Sequence, residues 1–129
     1  MPRDIYNNLL TKVSLTNALR TASANGTGVD RAGFHAVYIV VFTGTITDGT
    51  HTIEVQDSDD NSTYAAVADA YLQGAEPAIV AADDDKVFEL GYTGAKRYVR
   101  VITTAAGTTT GGVYGAVVVL GDPRVSPVR

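Results

Sequence analysis

Two acidic turns are the first places in this sequence where residue type and spacing suggest chemistry. Asp57, Asp59, Asp60 and Asn61 offer oxygen ligands at short intervals, as a hard divalent cation requires. The EF-hand arrangement is absent, with no glycine at the sixth loop position and no glutamate at the twelfth. Asp and Asn also fill turns because their side chains bond nearby backbone, and that reading is the simpler one. Asp83, Asp84 and Asp85, followed by Lys86, read as a solvated turn whose like charges are separated by water. His35 and His51 supply imidazoles, which can act as bases or metal ligands. No serine lies in a GxSxG elbow and there is no cysteine, so both histidines are expected to be packed, hydrogen-bonded sheet residues. GTTTGG at 107–112 has no lysine and follows no helix start, so the phosphate-loop reading fails. Lys96, Arg97 and Arg100 form the basic cluster. It can grip carboxylates or a glycan, or it is a solvated strand face, and the second reading is favoured. No acid–base–nucleophile constellation emerges, so a non-enzymatic protein without cofactor or metal is expected.

The elements that position these residues read as strands. Residues 86–102, KVFELGYTGAKRYVRVI, read as two strands joined by a short connection, Gly91 to Ala95, with the second arm running back along the first. On that second arm Arg97, Val99 and Val101 share one face and Tyr98, Arg100 and Ile102 the other. The valines suit a core, and Tyr98 and Arg100 suit a half-exposed face with covered stems and wet tips. Residues 34–42, FHAVYIVVF, form the strongest single strand. Both of its faces are apolar, which predicts a central strand covered on both sides, by a second sheet or by a neighbouring subunit. Asp48-Gly49 marks a turn, and residues 50–56 alternate with His51, Ile53 and Val55 inward. Short strands are expected at 64–67 and 78–81. A last buried strand is expected at 113–120, apolar on both faces and central like 34–42, ended by Gly121-Asp122-Pro123. Residues 105–112 read as a loop. The first 20 residues resemble an arm. A strand or strap lying on its own domain is favoured over an arm reaching a neighbour, with a short helix allowed over 16–20. Residues 124–129, containing Pro127, should be extended.

Composition narrows the class. The chain has 129 residues, no cysteine and a net charge of −4. Size scaling gives a folded surface of roughly 6,500 Å² against roughly 19,600 Å² unfolded, enough to bury one core without disulfides or metal. The acidic balance argues against nucleic acid as a partner. No apolar run reaches the length of a membrane helix, and MPRDIYNNLL has no signal-like apolar stretch. A cytosolic setting is expected, or assembly there into something larger. Charged residues make up 19% of the chain, and 13 glycines accompany many valines and threonines. Such a surface is poorly insulated against contact, which suits a subunit built to touch neighbours. The fold expected is all-β: a single jelly-roll-like β-sandwich, with an N-terminal arm at 1–20, a body at 30–121 and a tail at 122–129.

Four segments carry a resemblance. They are MPRDIYNNL at the start, Asp30-Arg31-Ala32-Gly33-Phe34, DDKVFELGYTGAKRYVRV at 84–101, and GVYGAVVVLGDP at 112–123. Together they resemble a family of small structural proteins of tailed bacteriophages, and the likeness covers nearly the whole chain. GYTGAKRYVRV is its most specific part. The resemblance implies a virion component encoded among head genes, a capsid decoration (cement) protein, with no catalytic residues to carry over. It implies the major capsid protein as a partner. Low surface charge, with more apolar strand faces than one small sandwich needs, predicts further copies of the chain as partners, in a homodimer or homotrimer. The resemblance places the protein on the capsid surface of a particle assembled in the host cytoplasm. The run Arg97 to Val101 also resembles strands of discoidin-like carbohydrate-binding sandwiches, so the alternative is a carbohydrate- or host-surface-binding module. Residues expected at partner contacts are Arg3, Ile5, Tyr6, Leu9 and Leu10 near the start, Arg97, Tyr98 and Arg100, and Arg124 and Arg129 at the end.

Overall fold

Period-two alternation of β-branched and aromatic residues dominates the sequence, and the computed structural model, described for residues 3–128, is built from strands accordingly. They are β1 (Leu10–Arg20), β2 (Ala24–Asn25), β3 (Val29–Asp30), β4 (Phe34–Ile46), β5 (Thr50–Ser58), β6 (Ala65–Ala66), β7 (Leu72–Gln73), β8 (Ala78–Ile79), β9 (Val87–Tyr92), β10 (Tyr98–Ala106) and β11 (Gly112–Pro123). Helical structure among the described residues is confined to single 3₁₀ turns at Asp69–Tyr71 and Ala81–Asp83.

Two antiparallel sheets pack face to face as a β-sandwich. The first has the order β1-β11-β4-β9-β7; the second runs β2-β10-β5-β6, with β3 on β10 and β8 on β5. From β4 onward, most connections cross from one sheet to the other, the wrapped path expected of a jelly-roll-like sandwich. The core lies between the sheets. Val37, Ile39 and Val41 of β4 and Tyr114, Ala116, Val118 and Leu120 of β11 face Ile53 and Val55 of β5 and Val99 and Val101 of β10, all buried. The central positions expected for residues 34–42 and 113–120 are observed, since β4 and β11 are neighbours in the middle of the first sheet.

Several expectations are corrected. Residues 86–102 are not a hairpin: β9 pairs with β4 in the first sheet, and β10 pairs with β5 in the second. Both arms carry one buried face, and a sandwich satisfies two such arms by placing them on opposite walls of the core. Residues 10–20 follow the favoured reading, a strand lying on its own domain, and 16–20 are not helical. They form edge strand β1, with Leu15 buried against β11. β10 continues to Ala106, so the loop starts later than expected. β11 runs through Gly121 and Asp122 to Pro123, which pairs with Phe34 at the strand's end, where proline is tolerated. The solvent-accessible surface, 6870 Å², is close to that of a compact chain of this mass.

Candidate interaction surfaces

The polar residues that looked most like chemistry hold the fold together. Asp60 Oδ1 accepts the backbone N–H groups of Ser62 (2.9 Å) and Thr63 (2.9 Å) and the Ser58 hydroxyl (2.9 Å). These bonds, that from Thr63 first, lower its pKa to about 2. In the second acidic turn, Asp83 Oδ2 accepts Val80 N–H at 2.9 Å and Asp84 Oδ1 accepts Ile46 N–H at 2.7 Å. Thr43 Oγ1 on β4 donates to the Asp83 carbonyl at 2.5 Å and accepts Lys86 N–H at 2.8 Å. This turn is therefore a cap over the end of β4 rather than a freely solvated loop. Among the described residues, no group of three or more His, Cys, Asp or Glu is placed to hold a metal ion.

His51 is fully buried and part of a directed chain of hydrogen bonds. Its Nε2 lies 3.1 Å from the Asp48 carbonyl, which can only accept, so Nε2 carries the proton. Nδ1 then accepts from the Tyr114 hydroxyl at 2.9 Å, and that hydroxyl accepts from Thr103 Oγ1 at 2.6 Å. The imidazole packs edge-on to the Tyr114 ring, with centroids 4.9 Å apart. His35 departs from expectation: it is exposed, two positions before the buried run of β4 begins at Val37.

GYTGAKRYVRV builds the crossover between β9 and β10. Tyr92 is buried, donates to Asp57 Oδ2 at 2.7 Å and accepts Lys96 N–H at 3.1 Å. Burial first, and then the bond to Asp57, push the Tyr92 phenol up to about 12. Arg31 donates to the carbonyls of Lys96 (2.5 Å) and Gly94 (3.3 Å), and Lys96 pairs with Asp59 at 2.7 Å. A Cβ on Gly94 would lie 2.5 Å from the Tyr92 hydroxyl oxygen, so glycine is required there.

The predicted contact residues fall into two groups, far apart in role. Arg97, Tyr98 and Arg100 lie on or beside β10, and their cations are engaged within the chain. Arg97 makes a bidentate pair with Asp30 (3.0 and 2.8 Å) and stacks over Tyr98; Arg100 donates twice to Gln56 Oε1 (2.9 and 2.7 Å) and sits 4.0 Å from the Tyr64 ring centroid. The second group comes together. Val128 N–H donates to the Asn7 carbonyl at 3.0 Å, Ser126 Oγ donates to Asn8 Oδ1 at 2.9 Å, and Arg124 N–H donates to the Gly33 carbonyl at 2.8 Å. The two ends of the described chain thus form one cluster. Ile5, Tyr6 and Val125 are exposed in it at 52%, 68% and 75%. Arg3 and Arg124 are exposed there too, while Leu9 and Leu10 are half-buried beneath. A surface hollow of about 390 Å³ lies beside the cluster between Leu10, Phe34, Pro123 and Val128. Arg129 lies outside the described residues.

A third surface corresponds to the surplus of apolar strand faces expected from the sequence, which does not say which residues make it. The outer face of the first sheet carries Val40 and Phe42 of β4, Val117 and Val119 of β11, Val13 of β1 and Val87 of β9, none of them fully buried. The sequence signal for it is strands apolar on both faces, whose second cover is another sheet or another subunit. Within the chain only the inner face is covered.

No protein-family model and no curated protein matches the chain. Among solved structures, it is similar to the crystal structure of the PBSX exported protein XepA, with a TM-score of 0.56 and 16% identity over 93% of this chain. The chain spans about two-fifths of XepA, 41% of its length. It also aligns with the SPBc2 prophage-derived protein YomS, at a TM-score of 0.43 and 12% identity, over 88% of this chain and 95% of YomS. At such identities the likeness to XepA is one of fold: the chain shares its β-sandwich architecture with part of an exported protein of PBSX.

Proposed function

We propose that this protein is a non-catalytic structural component of a phage particle, a decoration (cement) protein that binds the assembled head through the end of the sandwich where its termini meet. The observation that carries this reading is the convergence of both ends into one exposed cluster of Ile5, Tyr6 and Val125, flanked by Arg3 and Arg124. An apolar patch with a charged rim, Arg3 and Arg124 beside the Asp4 carboxylate, suits a protein surface with an apolar centre and charged margins, and the major capsid protein is the partner proposed. The sequence resemblance to small tailed-phage proteins supports the same reading. The proposed site of action is the capsid surface, reached after assembly in the host cytoplasm. A protein that binds the assembled shell and not its dissociated subunits stabilises the shell by mass action. The Arg97–Tyr98–Arg100 face is the less favoured surface, because its guanidinium groups already have partners in the chain.

The test is binding to undecorated heads by the full chain and by two truncated forms, lacking residues 1–8 or 124–129, with circular dichroism as the folding control. Folded truncations that lose binding are expected, with attachment of the full chain weakening as salt rises. Folded truncations that bind as tightly as the full chain would remove the termini from the contact.

A further inference from the structure

The two outer faces of the sandwich differ in a way that points to a partner. On the second sheet, the outward residues of β5 and β10 are Thr52, Glu54 and Gln56 against Thr104, Ile102 and Arg100, a face finished for water. On the first sheet the central outward row is Val13, Val117, Val40 and Glu89, in register across four strands. Glu89 is the one charge in that row. Monomers seldom leave a continuous apolar sheet face uncovered.

The edges offer no alternative route to association. β1 is interrupted by two register shifts, and at Ser14 it is tied to the second sheet: Ser14 Oγ donates to the Thr27 carbonyl at 2.8 Å and accepts Val101 N–H at 2.9 Å. The opposite edge, β7, has two residues. Bulged or very short edges discourage strand addition, so contact falls to the face.

The face also has complementary ends. Toward one side of the central row it is raised by Phe42 and by Val87 and Leu19, exposed at 63% and 61%. Toward the other it sinks into a hollow of about 360 Å³, floored by Ala36, Gly91 and Gly121 and walled by Leu9, Tyr38 and Gln73. A two-fold axis lying in the interface along the central row turns the raised end of one copy onto the hollow end of the other. Phe42 then meets the hollow beside Tyr38 of the second copy. Nine residues on each of three strands and the six of β9, at ~3.4 Å per residue and ~4.8 Å between strands, give a flat footprint on the order of 500 Å². Side-chain relief raises that towards the ~800 Å² per partner of a stable interface.

We propose that two copies of this chain associate face to face through the outer surface of the first sheet, stacked as sheets stack in a sandwich. This does not rest on head attachment, which uses the termini, and it is measured without any particle.

Sedimentation equilibrium across the micromolar range, on the full chain, is the test. The wild type is expected to dimerise, and Val117→Lys or Val40→Lys, each charging the central row, to weaken the dimer by about 100-fold or more. Both positions face outward, so folding should persist; two variants guard against one failing, and Thr104→Lys on the other face is the control. Glu89→Gln should tighten the dimer several-fold, because the axis brings the two carboxylates together. A single cysteine at Val40→Cys, also on the axis, should cross-link to itself through a short bis-maleimide, while Thr104→Cys should not. A wild type that stays monomeric, or a dimer that survives both lysines, overturns the proposal. A monomer whose head binding is abolished by Val117→Lys would assign the face to the capsid instead.

Discussion

Tyr114 shows how much of this protein's polar chemistry serves packing. Its hydroxyl joins two fully or nearly fully buried groups, His51 Nδ1 and Thr103 Oγ1, and gives each its partner. Replacing both partners of a hydrogen bond can be nearly neutral, but deleting one strands the other in the core. Tyr114→Phe keeps the ring and removes the link. It should destabilise the fold by about 1–3 kcal/mol, read as a lower urea midpoint at unchanged slope. An unchanged midpoint would mean that another donor reaches His51. The identity of the imidazole was visible in the sequence; its proton position was not, because the Asp48 carbonyl and the Tyr114 hydroxyl that decide it lie elsewhere in the chain.

At the scale of elements, the crossover from β9 to β10 is the clearest case. The strands were legible from alternation, but their separation onto two sheets was not. Two glycines around a short connection describe a hairpin and a sheet-to-sheet crossover equally well. The choice is made by β4 and β5, which offer β9 and β10 their partners on opposite walls of the core. Gly94→Ala would push a Cβ into the Tyr92 phenol and disturb its bond to Asp57. The expected result is a loss of about 1–3 kcal/mol, together with a Tyr92 titration that moves down from about 12 towards the ordinary phenol range. Retention of both would show that the crossover relaxes around the methyl group.

Across the whole molecule, carboxylates set the acid limit. Asp30, held by Arg97, and Asp60, held by the backbone N–H of Thr63 and Ser62, are lowered to about 2 from an ordinary 3.8. Asp48 is lowered as well, by the N–H groups of Thr110, Thr109 and Gly111. A depressed folded-state pKa contributes stability in full above the unfolded value and loses it as pH falls through the folded one. Glu76 acts in the other direction: burial raises it, so its protonation as pH drops through its range favours the fold. The melting temperature should therefore hold to about pH 4 and fall between pH 4 and 2. Asp60→Asn should lower it at neutral pH and flatten that acid limb. Equal slopes in variant and wild type would mean that the loop bonds to Asp60 are lost without consequence.

The sequence alone determined the all-β class, the two central strands and the inward residues of β5 and β10, because side-chain alternation is local and each strand needs one covered face. It also showed that β4 and β11 are apolar on both sides. Only the tertiary structure decided which side the chain covers for itself. That depends on pairing partners far apart in sequence, and so does the meeting of the two ends, where Asn7 receives Val128. Where both faces of a strand are apolar, its own residues do not encode which one is buried, because that depends on what packs above it.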